Sequence, residues 1–327
     1  MKRFSMLAAL TGGAILACVI AHTKLSVLAS HLRAVRMALP IVLGLSFCRL
    51  QLQTLAWLQV LRKEGSTVNR GELVGIRLAS QSMGYLTMLG ALISEPIKVK
   101  LLQGSVDKAA TATLVDDAIY WTTSAISGLI GCASILLLTA HTRRFVTSTL
   151  MIVFFFAFII FIALRVPALP LICRRLREGG PSWLRRAASI ETAVRVYRIR
   201  RPKLVRRMFA IDLLCQMLLT SEVVAVLWAL QLPIHPVAVL SIDGFTRMTK
   251  VVSSWIPARL GVDEAGAISA FSLAGLSPVL GLTLALTRRS RDLLWSFCGI
   301  AWLAWRSRHS SQARTEDRLL NQGEALT

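Results

Sequence analysis

Two carboxylates stand beside prolines in an otherwise very apolar chain: Glu95 in Ser94-Glu95-Pro96, and Glu264 at the end of Trp255-Ile256-Pro257-Ala258-Arg259-Leu260-Gly261-Val262-Asp263-Glu264. A carboxylate at bilayer depth is costly and is kept where it faces a cavity or a polar partner. Proline removes a backbone donor and disfavours helix at the residue before it. Backbone groups freed in this way are tolerated in a membrane only when buried in protein or lining a water-filled cavity. Cations accompany both acids: Lys98 follows Glu95, and Arg259, Arg289 and Arg291 surround Glu264. Such a set can hold a phosphate or another anionic headgroup, helped by unpaired N–H groups at helix ends. The acids then balance the cations or accept protons. The same residues also suit a purely structural role, as ion pairs between helices.

The two stretches are laid out alike. After each come a short apolar run, a glycine (Gly104, Gly275), a second apolar run and a charge cluster. The clusters are Asp116-Asp117 and Arg288-Arg289-Ser290-Arg291-Asp292, with Trp121 and Trp295 just beyond. Interrupted segments in corresponding positions of two halves point to a binding site at the membrane midplane. The expected fold is therefore all-α: a polytopic helical membrane protein with two re-entrant or broken-helix segments in an approximate internal repeat. Residues 73–112 read as the first re-entrant hairpin. Glu95 and Glu264 are expected on opposite sides of one central cavity.

The elements that must carry these residues are membrane spans. Of 327 residues 54% are hydrophobic, and mean hydropathy is +0.60. Phe145–Leu164 is an uncharged run of 20 residues, enough alone to cross a bilayer. Ala118–Ala140 and Ala265–Thr287 are uncharged over 23 residues each. Spans are expected at 4–21, 38–60, 114–138, 146–165, 208–232, 237–255 and 265–287, with a final helix that absorbs part of the charge cluster before the 13-residue run Leu293–Trp305. Lys2-Arg3 and the apolar stretch after it resemble a signal peptide, but an uncleaved first span is expected. Residues 1–305 thus form one transmembrane domain of about 7–8 segments, and 306–327 a polar tail.

The net charge of +21 does not indicate nucleic acid, because Lys and Arg concentrate between apolar runs and no nucleic-acid motif accompanies them. Residues 173–207 hold twelve cations and two acids, a net +10. The positive-inside rule places this loop and both termini in the cytoplasm, where anionic lipid headgroups attract polybasic segments. Six scattered cysteines and five dispersed histidines build neither a disulfide framework nor a metal site. No metal, cofactor or catalytic group is expected. Arg49 lies near mid-span, where a lone cation costs about 3 kcal/mol on insertion scales. It is expected to pair with Glu95, Asp116, Asp117 or Glu222, or else to snorkel to an interface.

Residues 255–295 resemble the C-terminal signature of the lysylphosphatidylglycerol-synthase transmembrane-region family, also called flippase-like or UPF0104. That signature runs approximately P-G-G-L-G-x-x-E-G, an apolar run, then R-x-R-[DE]-L-L. The matching positions are Pro257, Gly261, Glu264, Gly266, Arg289, Arg291 and Asp292. Glu95 and Lys98 fall where the family shows Gly-Glu-x-x-Arg, and Asp116 or Asp117 can supply its later acid. The similarity extends over about 40–305, nearest to the hopanoid-biosynthesis-associated branch. Ser94, Lys98 and Arg259 depart from the pattern, and Arg259 stands at a glycine position, where it can narrow a cavity or alter its charge preference. The resemblance implies a bacterial inner-membrane protein that translocates or carries a lipid or polyprenyl-linked lipid. An alternative is a glycosyltransferase using a polyprenyl-phosphate sugar, although loop 22–37 lacks the acidic residues such enzymes use. A scaffold of envelope-lipid assembly is the third reading.

Overall fold

The computed structural model describes residues 25–87, 90–102, 105–138, 195–197, 199–252 and 259–324. The expected spans 4–21 and 146–165, most of the basic loop 173–207, and Pro257 lie outside the described residues. So do both termini.

A short helix α1 (Leu25–Val35) precedes two sets of four helices. The first set is α2 (Leu39–Lys63), α3 (Arg70–Leu86), α4 (Gly90–Leu101) and α5 (Val106–Leu138). The second is α6 (Pro202–Ala229), α7 (Pro236–Val252), α8 (Val262–Leu273) and α9 (Pro278–Glu324). Their lengths run 25, 17, 12 and 33 residues, then 28, 17, 12 and 47. The internal repeat is therefore one of whole elements: a long span, a medium helix, a short helix and a long helix. At 1.5 Å per residue, α4 and α8 are each about 18 Å long, too short for a hydrocarbon core of about 30 Å. By contrast, α2, α5 and α6 contain stretches long and apolar enough to cross.

The halves interlock crosswise. The two most extensive cross-half contacts are α5 with α7 and α3 with α9, each joining a long helix of one half to the medium helix of the other. The buried apolar residues form two packed clusters. One gathers Trp57, Leu61, Ile76, Val115 and Met208, and the other Val226, Ile242, Phe271 and Leu284. Burial in lipid carries no hydrophobic gain over the acyl chains, so close backbone approach matters more. A Cβ on Gly131 of α5 would lie 2.4 Å from Gly244 Cα of α7, and one on Gly299 of α9 would lie 2.5 Å from Leu78 O of α3.

Several boundaries differ from the sequence reading. The helix that ends at Leu86 and the one that begins at Gly90 are separate elements, and Pro96 sits inside α4 rather than ending it. Proline can be carried within a membrane helix when neighbouring groups satisfy the carbonyl it frees. The uncharged run 265–287 is two helices, not one. Gly275, at φ 73°, turns the chain after α8, and Pro278 opens α9. Neither residue lowers hydropathy much, so the break is silent in a hydropathy profile. Helix α9 takes in the whole charge cluster 288–292 and continues through Glu324, so residues 306–324 are its extension. The final residues of the basic loop, from Pro202, are the first turns of α6.

Candidate functional site

In each half, two adjacent charged residues on the long helix reach one partner on the medium helix and one on the short helix. In the first half the long helix supplies acids. Asp116 accepts from Arg77 of α3 at 3.0 Å, and Asp117 accepts from Lys98 of α4 at 3.0 Å. Lys98 also donates to Glu95 at 3.0 Å, one turn back on its own helix. Arg77 donates again to the Gln53 backbone carbonyl at 2.8 Å, and the Trp57 ring lies within 6 Å of both Arg77 and Lys98.

In the second half the signs are reversed. Arg288 of α9 meets Asp243 of α7 at 3.2 Å, and Arg289 meets Glu264 of α8 at 2.9 Å. Arg77 precedes Lys98 by 21 residues, and Asp243 precedes Glu264 by the same 21. The repeat thus keeps the positions of the ion pairs and exchanges which partner is cationic. Further pairs extend the second cluster: Arg247 with Asp243 at 2.6 Å, and Arg291 with Glu222 and with Asp292, the latter at 2.7 Å. Buried pairs are weak evidence of added stability, because desolvation offsets attraction. They do show that the four repeat-related pairs each join charges of one half.

Between the halves lies a cavity of about 360 Å³. Helix α2 contributes Ser46, Arg49 and Gln53, α3 contributes Gln81, Ser82 and Tyr85, and α5 contributes Tyr120, Trp121 and Ser124. From the second half come Arg247, Lys250, Arg259, Arg291, Asp292, Trp295 and Ser296. Both interrupted segments reach it, through Ser94 of α4 and through Arg259 in the turn before α8. Five cations and one carboxylate face this space.

Arg259 takes φ 50°, and Gly261 φ 78°, within the turn that opens α8. A left-handed backbone costs a non-glycine residue about 1–2 kcal/mol, which accounts for the glycine that the family places there. The Arg259 side chain is held by Asp263 at 3.4 Å and Asp292 at 3.7 Å, with the guanidinium 5.5 Å from the Tyr85 ring centre.

Of the residues singled out in the sequence, Arg49, Arg259, Arg291 and Asp292 line the cavity. Glu95, Lys98, Asp116 and Asp117 form the charge cluster of the first half, and Glu264 and Arg289 pair in the second. Gly261 shapes the turn. The expectation that Glu95 and Glu264 face each other across one cavity is corrected: neither lines it, and each is engaged by a cation of its own half. Arg49 has no carboxylate partner among the described residues, and its Nε is buried without a hydrogen bond. The acids it was expected to meet are taken by Arg77, Lys98, Arg288 and Arg291. Arg77, Asp243, Arg247 and Lys250 were missed as site residues, since lone charges in moderately apolar helices resemble interruptions. The repeated 21-residue spacing with opposite signs was the available signal.

Fold and site together define an integral membrane protein built from two interlocked halves around a cationic cavity. The chain belongs to the lysylphosphatidylglycerol synthase TM region family, whose model matches residues 5–298. No curated protein and no solved structure matches it. Membership connects the chain with lipid-related processes at a membrane.

Proposed function

We propose that this protein carries a lipid or polyprenyl-linked lipid across the bacterial inner membrane, a flippase-like activity without covalent chemistry. The observation that carries the reading is the cavity between the halves, where Arg49, Arg247, Lys250, Arg259 and Arg291 face one carboxylate, Asp292. Cations held in such surroundings attract an anionic headgroup far more strongly than they would in water. The short helices α4 and α8, which cannot cross the bilayer themselves, each bring a residue to the same space, Ser94 within α4 and Arg259 in the turn before α8, which suits the paired short segments of a transport site. The resemblance to the hopanoid-associated branch makes lipids of that kind a first class to try. With both termini and the loop 173–207 in the cytoplasm, a cysteine introduced by Ser182→Cys resists an impermeant reagent on intact cells. Labelling there would overturn the orientation.

The deciding experiment reconstitutes the protein in vesicles carrying a headgroup-labelled anionic phospholipid in both leaflets and bleaches the outer leaflet with dithionite. Protein-dependent loss of signal from inner-leaflet lipid is expected, reduced by Arg259→Gln. Loss no faster than in protein-free vesicles, for anionic phospholipid and polyprenyl phosphate alike, refutes the reading.

A further inference from the structure

The cavity is more selective than its positive charge alone requires. The ionic cluster around it contains Arg49, Arg247, Lys250, Arg259, Arg288, Arg289 and Arg291, against Glu222, Asp243, Asp263, Glu264 and Asp292. Six arginines against five carboxylates leave one guanidinium without a matching carboxylate, and Lys250 lines the same space. Uncompensated charge of this kind is costly in a low dielectric and is relieved by a bound counter-charge. Among the described residues, every arginine of this cluster except Arg49 has a carboxylate within 4 Å.

A second set of observations concerns neutral groups. Gln53 and Ser296 are buried, line the cavity and make no side-chain hydrogen bond among the described residues. Buried amides and hydroxyls are normally satisfied. One amide and one hydroxyl left open towards the same space, on opposite halves, suit a ligand that carries hydroxyls of its own.

Resting on the lipid-carrying reading of this cavity, we propose that its headgroup is a net-anionic phosphate joined to glycerol or a sugar. Arg49 contacts the phosphate, and a headgroup bearing a cationic aminoacyl group is rejected. The guanidinium of Arg49 presents its fork to phosphate oxygens. Gln53, one turn further along α2, and Ser296 across the cavity take the hydroxyls. An added ammonium would meet a surplus of like charge, so selection works by repulsion as well as attraction. The chain therefore differs in cargo from a carrier of the lysylated lipid after which its family is named.

The test measures binding of dihexanoyl phosphatidylglycerol, phosphatidylcholine and lysylphosphatidylglycerol to the purified full-length protein, with glycerol 3-phosphate as a competitor lacking acyl chains. Phosphatidylglycerol is expected to bind about tenfold or more tighter than either other lipid. Arg49→Gln removes that preference, and Arg49→Lys retains part of it. Equal affinity for phosphatidylglycerol and its lysylated form overturns the proposal even if vesicle assays show lipid movement. An unchanged preference in Arg49→Gln overturns the role of Arg49. If Arg49→Gln yields no folded protein, the lipid ranking of the unsubstituted chain and Arg49→Lys decide. Glycerol 3-phosphate competing as well as the short-chain lipid would instead sink the lipid-carrying function while leaving the headgroup chemistry intact.

Discussion

Breaking the Arg77–Asp116 pair tests the charge logic of the fold directly. Both side chains are about 95% or more buried, and the contact is 3.0 Å. With an effective dielectric constant of about 20, the attraction at that distance is about 5 kcal/mol, largely offset by desolvation of the two ions. Arg77→Met leaves Asp116 without that attraction, and stranded partners of this kind cost about 3–5 kcal/mol. Arg77 also donates to the Gln53 carbonyl, which Arg77→Met leaves without that donor, so the upper half of the range applies. At about 2 °C per kcal/mol for a chain of this size, the apparent Tm should fall by about 8–10 °C. The double substitution Arg77→Met with Asp116→Leu should recover most of the loss. The exchange Arg77→Asp with Asp116→Arg reproduces the polarity that Asp243 and Arg288 already show, and should be better tolerated than Arg77→Asp alone. Thermal unfolding of purified protein, followed by fluorescence-detected size exclusion, reads all of these. A shift below about 2 °C for Arg77→Met, or no recovery in the double variant, would refute the reasoning.

Glu264→Gln should lower folded yield by stranding Arg289, with part of the loss restored by adding Arg289→Gln; equal yields for all three chains would argue against the pair. Gly131→Leu drives a side chain into the Gly244 backbone and should abolish folded protein, whereas Gly44→Ala, with open space around it, should leave yield within the scatter of the assay. Arg259→Gly relieves the left-handed backbone while losing contacts to Asp263 and Asp292, so the apparent Tm should move by less than about 3 °C. Transport of an anionic lipid should nevertheless fall in that variant, and unchanged transport would remove Arg259 from the site.

How much of this was legible in the sequence depends on what each residue can signal alone. Hydropathy located α2, α5 and α6 because a run of bilayer length with so little charge has scarcely any use outside a membrane. The paired layout of Asp116-Asp117 and Arg288-Arg289 exposed the repeat, since adjacent charges inside apolar stretches are rare enough to align by eye. Pairing was harder. Arg49 was matched to whichever acids the neighbouring segments offered, but Glu222, Asp116 and Asp117 each had a better-placed cation on an adjoining helix. The break at Gly275 was hidden because glycine and proline interrupt a helix without lowering its apolar character. Arg259 showed the opposite case: its departure from glycine pointed to a cavity wall, and the structure places it both there and in a strained turn.

The division between charged and glycine contacts bears on how the protein is made. Arg77, Lys98, Asp243 and Glu264 all find their opposite charges within their own half, whereas Gly131, Gly244 and Gly299 let the backbones of the two halves approach too closely for a side chain. During synthesis, Arg77, Lys98, Asp116 and Asp117 can therefore meet one another within α3–α5 long before α7 and α9 leave the ribosome. Insertion and assembly become separable stages. The first settles the repeated ion pairs locally, and the second brings small-residue faces together with a few polar contacts such as Arg306–Glu72.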